Sequence, residues 1–328
     1  MPKKILWLIG FVLMCSTAQA DSAIRALWVT QKYLESPQSI NEVMQKAKAA
    51  KINTLFVQVR ARGTVSYRSR LEQPYSPLQN NSDFDPLALV LEKAKPLGIS
   101  VHAWVNVFYV WSERNRPSNP NHIVNRQPGW ILQKKGQVFL NPSNLDVQNY
   151  SQEVIREIAL NYPVDGIHLD YFRYPSRVKK VEWIKVRQHY LKNFLALLWE
   201  WKTARFPALK LSVAVTADYH KASKIYSQDW KDWMHAGILD WAVPMIYQKD
   251  SKKFKSELDF ACREAQSTPV KVVAGVGMWQ LSDEQFRKQL SMVQAKWREM
   301  SPNPLGGISL FAYEGFSPVR QKIWLETQ

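Results

Sequence analysis

Eight short runs rich in β-branched residues recur along this chain, and the stretches between them repeat apolar residues every three or four positions. The runs are RALWVT (25–30), TLFVQVR (54–60), SVHAWVN (100–106), GIHLDYF (166–172), KLSVAV (210–215), LDWAVPMIY (239–247), VKVVAGVGM (270–278) and GISLFAY (307–313). Between them, segments such as SINEVMQKAKAAK and FKSELDFACREAQS have the spacing of amphipathic helices. Eight strand–helix units in 328 residues predict an α/β fold, a closed (β/α)8 TIM barrel. An open doubly wound sheet uses the same alternation, but the Gly-rich turn expected after its first strand is missing. No low-complexity segment or Pro/Gly-rich linker divides the chain, so residues 21–328 are read as one barrel domain. Its longest connection runs from Val107 to about Leu145, between the third strand and its helix, and carries Trp111, Trp130, several prolines and NPSN (141–144). Aromatic content of that kind predicts an ordered lid beside the barrel mouth.

Residues 1–20 read differently. Lys3 and Lys4, an apolar run from Ile5 to Met14 and Ala18-Gln19-Ala20 form the pattern of a secretory signal, with cleavage expected after Ala20. The run is too short to span a bilayer, and no later segment has the apolar length of a transmembrane helix. Cys15 raises lipoprotein attachment, but Met14 before it is a poor fit to the small residue such sites need. Once Cys15 leaves, only Cys262 remains, so an exported chain without disulfides must rely on a large core. The formal net charge of +16 falls by two, to +14, with Lys3 and Lys4. For an exported protein that balance suits cell-wall polymer or a membrane surface. Nucleic acid conflicts with the export signal and lacks a binding motif.

A barrel gives a direction to chemistry, because residues at the carboxyl ends of its strands line the active face. DGIHLDYFRYP (165–175) is the most informative stretch under that rule. Asp165 precedes its strand, as Asp240 precedes the sixth, and both are expected at the bottom of the barrel. Asp170 lies near the top. Strand alternation puts His168, Asp170 and Phe172 on one face and Ile167 and Leu169 on the other, toward the helical shell. His168 is expected one layer below Asp170, hydrogen-bonded to it. The alternative for Asp170 is a structural ion pair with Arg173 or Arg60. Other strand ends contribute Arg60, Asn106, Tyr247, Asp218 after the fifth strand and Glu314 after the eighth, with Trp28, Tyr109, Trp111 and Trp279 as rings able to stack on sugar faces.

Carboxylates among amides and flat rings are what glycosidic cleavage uses: one acid protonates the leaving oxygen, and the other attacks, stabilises or activates water. Asp170 is expected to be the nucleophile or base. The proton donor is Asp218 or Glu314, and strict alternation turns Glu314 away from the mouth. Six scattered histidines give too few ligands for a metal-dependent hydrolase, no organic cofactor is implied, and neither a Gly-x-Ser-x-Gly elbow nor a phosphate loop is present. The rival reading is a carbohydrate-binding barrel without turnover. It gains if neither Asp218 nor Glu314 lies within reach of Asp170.

RALWVT, NTLFVQVRARGTVSY, HAWVN, LNPSN and above all DGIHLDYFRYP resemble the glycosyl hydrolase-like 10 family over roughly Ala23 to Gly315. The resemblance implies a TIM-barrel glycoside hydrolase of the bacterial cell envelope, periplasmic or envelope-attached. Characterised relatives cleave peptidoglycan glycan strands, notably those stripped of stem peptides. It also implies that Asp170 is the catalytic carboxylate, with Arg60, Asn106 and Arg173 in the cleft. His168, Tyr174, Tyr109, Tyr247 and Trp279 complete the expected substrate-binding set. The match is looser at VTADY and LFAYEG, where the second acid would lie.

Overall fold

All eight β-rich runs form strands in the computed structural model, which describes residues 23–79, 83–112, 115–300 and 304–328. The predicted leader, with Cys15, lies outside the described residues. The strands are β1 (Ile24–Val29), β2 (Thr54–Ala61), β3 (Ser100–Asn106), β4 (Gly166–Asp170), β5 (Lys210–Thr216), β6 (Trp241–Met245), β7 (Lys271–Gly277) and β8 (Leu305–Phe311). Each pairs in parallel with the next, and β1 also pairs with β8, so the sheet closes into a (β/α)8 barrel. Helices cover its outside, among them Pro37–Ala49, Pro86–Ala94, Leu145–Asn161, Val181–Arg205, Ser251–Ala265, Asp283–Glu299 and Pro318–Glu326. Local sequence sets their starts. Ser36 and Ser282 form capping boxes, and Asn144 of the NPSN stretch accepts from the amides of Asp146 and Val147.

The two strand faces bury different chemistry. Ile167, Leu169, Val213 and Val215 point into the aliphatic shell under the helices. Trp28, Phe56, Trp104, Ala214, Val243 and Val273 fill the barrel interior. Truncating a shell residue such as Leu169, which is 0% exposed, to alanine would cost about 2–5 kcal/mol through lost transfer energy and the cavity left behind. Gly166 opens β4 because a Cβ there would come within 2.3 Å of the His102 ring, which packs flat on Trp241.

At the amino-terminal end a single device recurs. Asn53, Asp165 and Asp240 each precede an even-numbered strand, donate a backbone N–H to the strand before and accept one from the strand after. Their side-chain oxygens then take the amides of Arg25 (2.8 Å), Val101 (2.7 Å) and Leu211 (2.8 Å). The staggered strand starts of a closed parallel barrel leave those amides without ladder partners, and a short side chain satisfies them. Before β8 the place is taken by Pro304, whose carbonyl accepts from Val272 but which has no side chain to complete the clamp.

Two boundaries differ from the sequence reading in ways that matter at the other end. β4 stops at Asp170, because Tyr171 adopts a left-handed φ of 49°. The chain turns there, so Phe172 does not share the mouth with Asp170; it is buried among Phe108, Phe194 and Trp233 in the shell. The excursion after β3 forms a three-stranded antiparallel sheet from Tyr109–Trp111, Gln137–Leu140 and Ile131–Lys134, with a short helix at Ile123–Arg126.

Candidate active site at the carboxyl end of the barrel

Asp170 ends β4 directly opposite Asn106 at the end of β3. Its carboxyl is buried, with Oδ1 accepting the Tyr171 amide at 2.6 Å. The left-handed turn that aims this amide back is therefore part of the site. Burial pushes the Asp170 carboxyl above the ordinary aspartate range; the Arg173 guanidinium, the Tyr171 N–H and the Trp104 indole oppose that rise without cancelling it. The indole N–H lies close enough to favour the ionised form while falling short of hydrogen-bond geometry. Asp170 thus has a structural cause for holding a proton at a pH where an exposed aspartate has lost it, the property a general acid needs.

Aromatic rings wall the space around it. Tyr171 stacks on Tyr109 with centroids 4.5 Å apart, and burial followed by the Asp170 charge pushes its phenol up to about 12. Arg173 lies over the rings of Tyr171 (5.0 Å) and Tyr226 (4.8 Å) and donates to the Thr216 hydroxyl at 3.3 Å. On the opposite side Tyr247 meets Trp279 edge-on at 4.8 Å and Phe311 at 5.5 Å. Trp279 is 56% exposed, a large ring open to solvent at the rim. The Tyr247 hydroxyl is buried without a protein partner, and burial followed by the charge of Asp170 raises its pKa well above the usual phenol value.

Other residues singled out from the sequence lie elsewhere. Arg60 is buried behind the mouth, bidentate to Glu72 at 2.6 and 2.5 Å, and donates to the carbonyls of Asn106 and Val107. A β-bulge in β2 between Gln58 and Arg60 breaks the alternation that pointed Arg60 inward. It anchors the start of the excursion instead of pairing with Asp170. His168 sits below Asp170, but its Nδ1 bonds the Ser212 hydroxyl at 2.8 Å, and its ring stacks on Phe56 at 4.2 Å. The expected His168–Asp170 hydrogen bond is replaced by that one, since the ring lies flat against the interior aromatics. Tyr174 is buried in the shell and ties to Ser143 of the NPSN turn at 2.6 Å.

The two candidates for a second acid are also engaged elsewhere. Asp218 caps the helix Tyr219–Ile225, accepts the Lys221 amide, stands 3.6 Å from that lysine's ammonium and lines a cavity of about 420 Å³ with Glu257. Glu314 lies in the turn Tyr313–Gly315, 3.6 Å from Lys32. Neither contributes to the charges acting on Asp170. Glu72 is the residue that sequence reasoning missed. Glu72 lies in an irregular segment with no periodicity to read.

Residues 23–181 and 175–297 match the sequence profile of a family described as Glycosyl hydrolase-like 10. Glycosyl hydrolase DigH of Escherichia coli K12 is 24% identical over 299 aligned positions covering 71% of this chain and 67% of that protein. Glycosyl hydrolase YngK of Bacillus subtilis is 20% identical, covering 95% of this chain and 76% of its own length. The PgaB (BpsB) glycoside hydrolase domain of Bordetella bronchiseptica superposes with a TM-score of 0.67 over 92% of this chain and 98% of that one, at 14% identity, a likeness of fold.

Proposed function

The chain belongs to the glycosyl hydrolase-like 10 family and is a glycoside hydrolase, and on that premise we propose that it cleaves the glycan strands of peptidoglycan, preferring strands freed of stem peptides. The observation that carries this reading is the buried Asp170 carboxyl at the barrel mouth, which burial pushes above the ordinary aspartate range. Around it, Tyr109, Tyr171, Tyr247 and Trp279 offer ring faces and edges to a chain of sugars. The sheet built from Tyr109–Trp111, Ile131–Lys134 and Gln137–Leu140 stands beside Asp170 through the Tyr109–Tyr171 stack. A wall on that side favours a slim polymer over one carrying peptide branches. The net charge, +14 without the leader's two lysines, suits a polymer bearing carboxylates. Export to the periplasm or envelope through the leader at 1–20 completes the proposal; among the described residues no helix is long and apolar enough to cross a membrane.

The experiment is reducing-end release from intact peptidoglycan and from peptide-free glycan strands, with wild type and Asp170→Asn side by side. Release from the peptide-free strands by wild type alone supports both substrate and residue. Faster release from intact peptidoglycan would refute the preference. Retention of the strands without any release would return the chain to the binding-barrel reading.

A further inference from the structure

We propose that the sugar on which cleavage occurs must carry a 2-acetamido group, whose carbonyl oxygen, held by Tyr247, serves as the nucleophile that a second carboxylate would otherwise supply. This rests on the glycosidase reading above and adds to it the partner of Asp170. Cleavage through an oxocarbenium-like centre needs a proton donor at the leaving oxygen and an electron-rich group on the opposite side of the anomeric carbon. Among the described residues, the one charged side chain acting on Asp170 is Arg173. Asp218 and Glu314 are held by Lys221 and Lys32. The protein supplies the donor and leaves the nucleophile to the substrate.

The polar groups around Asp170 fit that assignment. The Tyr247 hydroxyl and the Asn106 amide oxygen are both buried and without protein partners. Buried polar groups are normally paired, so two left open beside one carboxyl describe a surface made for a polar ligand. An acetamido group has one acceptor, its carbonyl, and one donor, its N–H. Those match a phenol that donates and an amide oxygen that accepts. Phe311 packs against Tyr247, and Trp28 and Trp104 pack against Phe311, an apolar lining for the acetamido methyl.

The chemistry then closes on a single acid. Asp170, with Oδ1 held by the Tyr171 amide, gives a proton from Oδ2 to the glycosidic oxygen. The bond from the anomeric carbon to that oxygen breaks, its electron pair leaving with the departing hydroxyl. A lone pair of the acetamido oxygen forms the new bond, giving a protonated oxazoline. Water enters from the vacated side, loses a proton to the Asp170 carboxylate and reopens the ring, restoring the acetamido group. Two inversions retain configuration. Attack from the far side requires the leaving oxygen trans to the acetamido group, so the linkage cut is β.

The test follows full-length protein on peptide-free glycan strands, native and chemically de-N-acetylated, with proton NMR reading the first anomer released. The expected result is β-anomer first and cleavage of de-N-acetylated strands slower by at least about 100-fold. A bicyclic thiazoline analogue of the closed-ring intermediate is expected to inhibit competitively, binding about 100-fold or more tighter than substrate. Tyr247→Phe should lower kcat about 10- to 100-fold, weaken the thiazoline and leave Tm unchanged. First release of the α-anomer, or cleavage of both strands within about tenfold of each other, overturns the acetamido role while the hydrolase stands. Absence of cleavage of either strand overturns both.

Discussion

Asp165 and Asp170 stand five positions apart, at the two ends of β4, and the barrel uses them in opposite ways. Asp165 is exposed and fixes the Val101 amide, one of three side-chain clamps that seat the strand starts. Asp170 is buried, holds one amide of its own turn and faces an open phenol and an open amide. Asp240 repeats the lower arrangement more deeply, taking the Leu211 amide and the ammonium of buried Lys202 at 3.0 Å. At the lower end, each oxygen named here satisfies the protein's own donors. At the upper end burial raises the Asp170 carboxyl, and the Tyr247 hydroxyl and Asn106 amide oxygen are left without protein partners.

The largest effect should come from removing the upper acid. Asp170→Asn is expected to lower kcat by about 10²- to 10⁴-fold, the range general acid–base groups contribute, measured as reducing-end release. Its stability should move the other way. The folded carboxyl is raised above its unfolded value, so its contribution to stability is lost as pH rises through the folded pKa, and Asn removes that loss. Tm at pH 7 should equal or exceed that of wild type, with the gap closing below about pH 4. A marked drop in Tm would make Asp170 structural, like Asp240.

Asp240→Ala should do the reverse. It leaves the Leu211 amide without its acceptor and the buried Lys202 ammonium without a counter-charge, costing about 3–5 kcal/mol in a denaturant melt while the folded fraction keeps its kcat. Equal loss of activity per folded molecule would break the distinction between the two ends.

A smaller effect concerns the layer between them. Burial pushes His102 down to about 3 and His168 well below the usual imidazole value, so both are neutral in the folded barrel. Their stabilisation is present above the unfolded pKa and is lost as pH falls below it toward the folded values. Each should cost up to about 1.4 kcal/mol per pH unit below roughly 6.5, and His102→Leu should flatten the acid limb of a Tm–pH curve. An unchanged limb would remove His102 from that account. The smallest effect is expected at the exposed rim, where Trp279→Ala should raise KM about 3- to 10-fold with kcat nearly unchanged, if its ring face stacks on sugar.

The alternation of β-branched runs with amphipathic stretches was enough for the closed barrel, because parallel strands buried on both sides leave a period that few other folds share. It also separated Asp165 and Asp240 from Asp170, since the direction of a barrel strand is fixed by chain order. Ile167, Leu169, Val213 and Val215 fall where alternation put them, against the helices. Periodicity failed where the backbone leaves regular geometry. The bulge in β2 turned Arg60 toward Glu72, and the left-handed Tyr171 sent Phe172 outward and its own ring toward Tyr109.

What the sequence determined by itself was therefore the barrel and the level of each residue along its axis, because both depend on local periods and on order along the chain. The tertiary structure alone decided who meets whom across the mouth. It paired Arg60 with Glu72, placed the Tyr247 phenol within reach of the Asp170 charge and left Asp218 and Glu314 to their lysines. Those relations join residues far apart in the chain through bulges, turns and burial, and no local pattern of side chains encodes them.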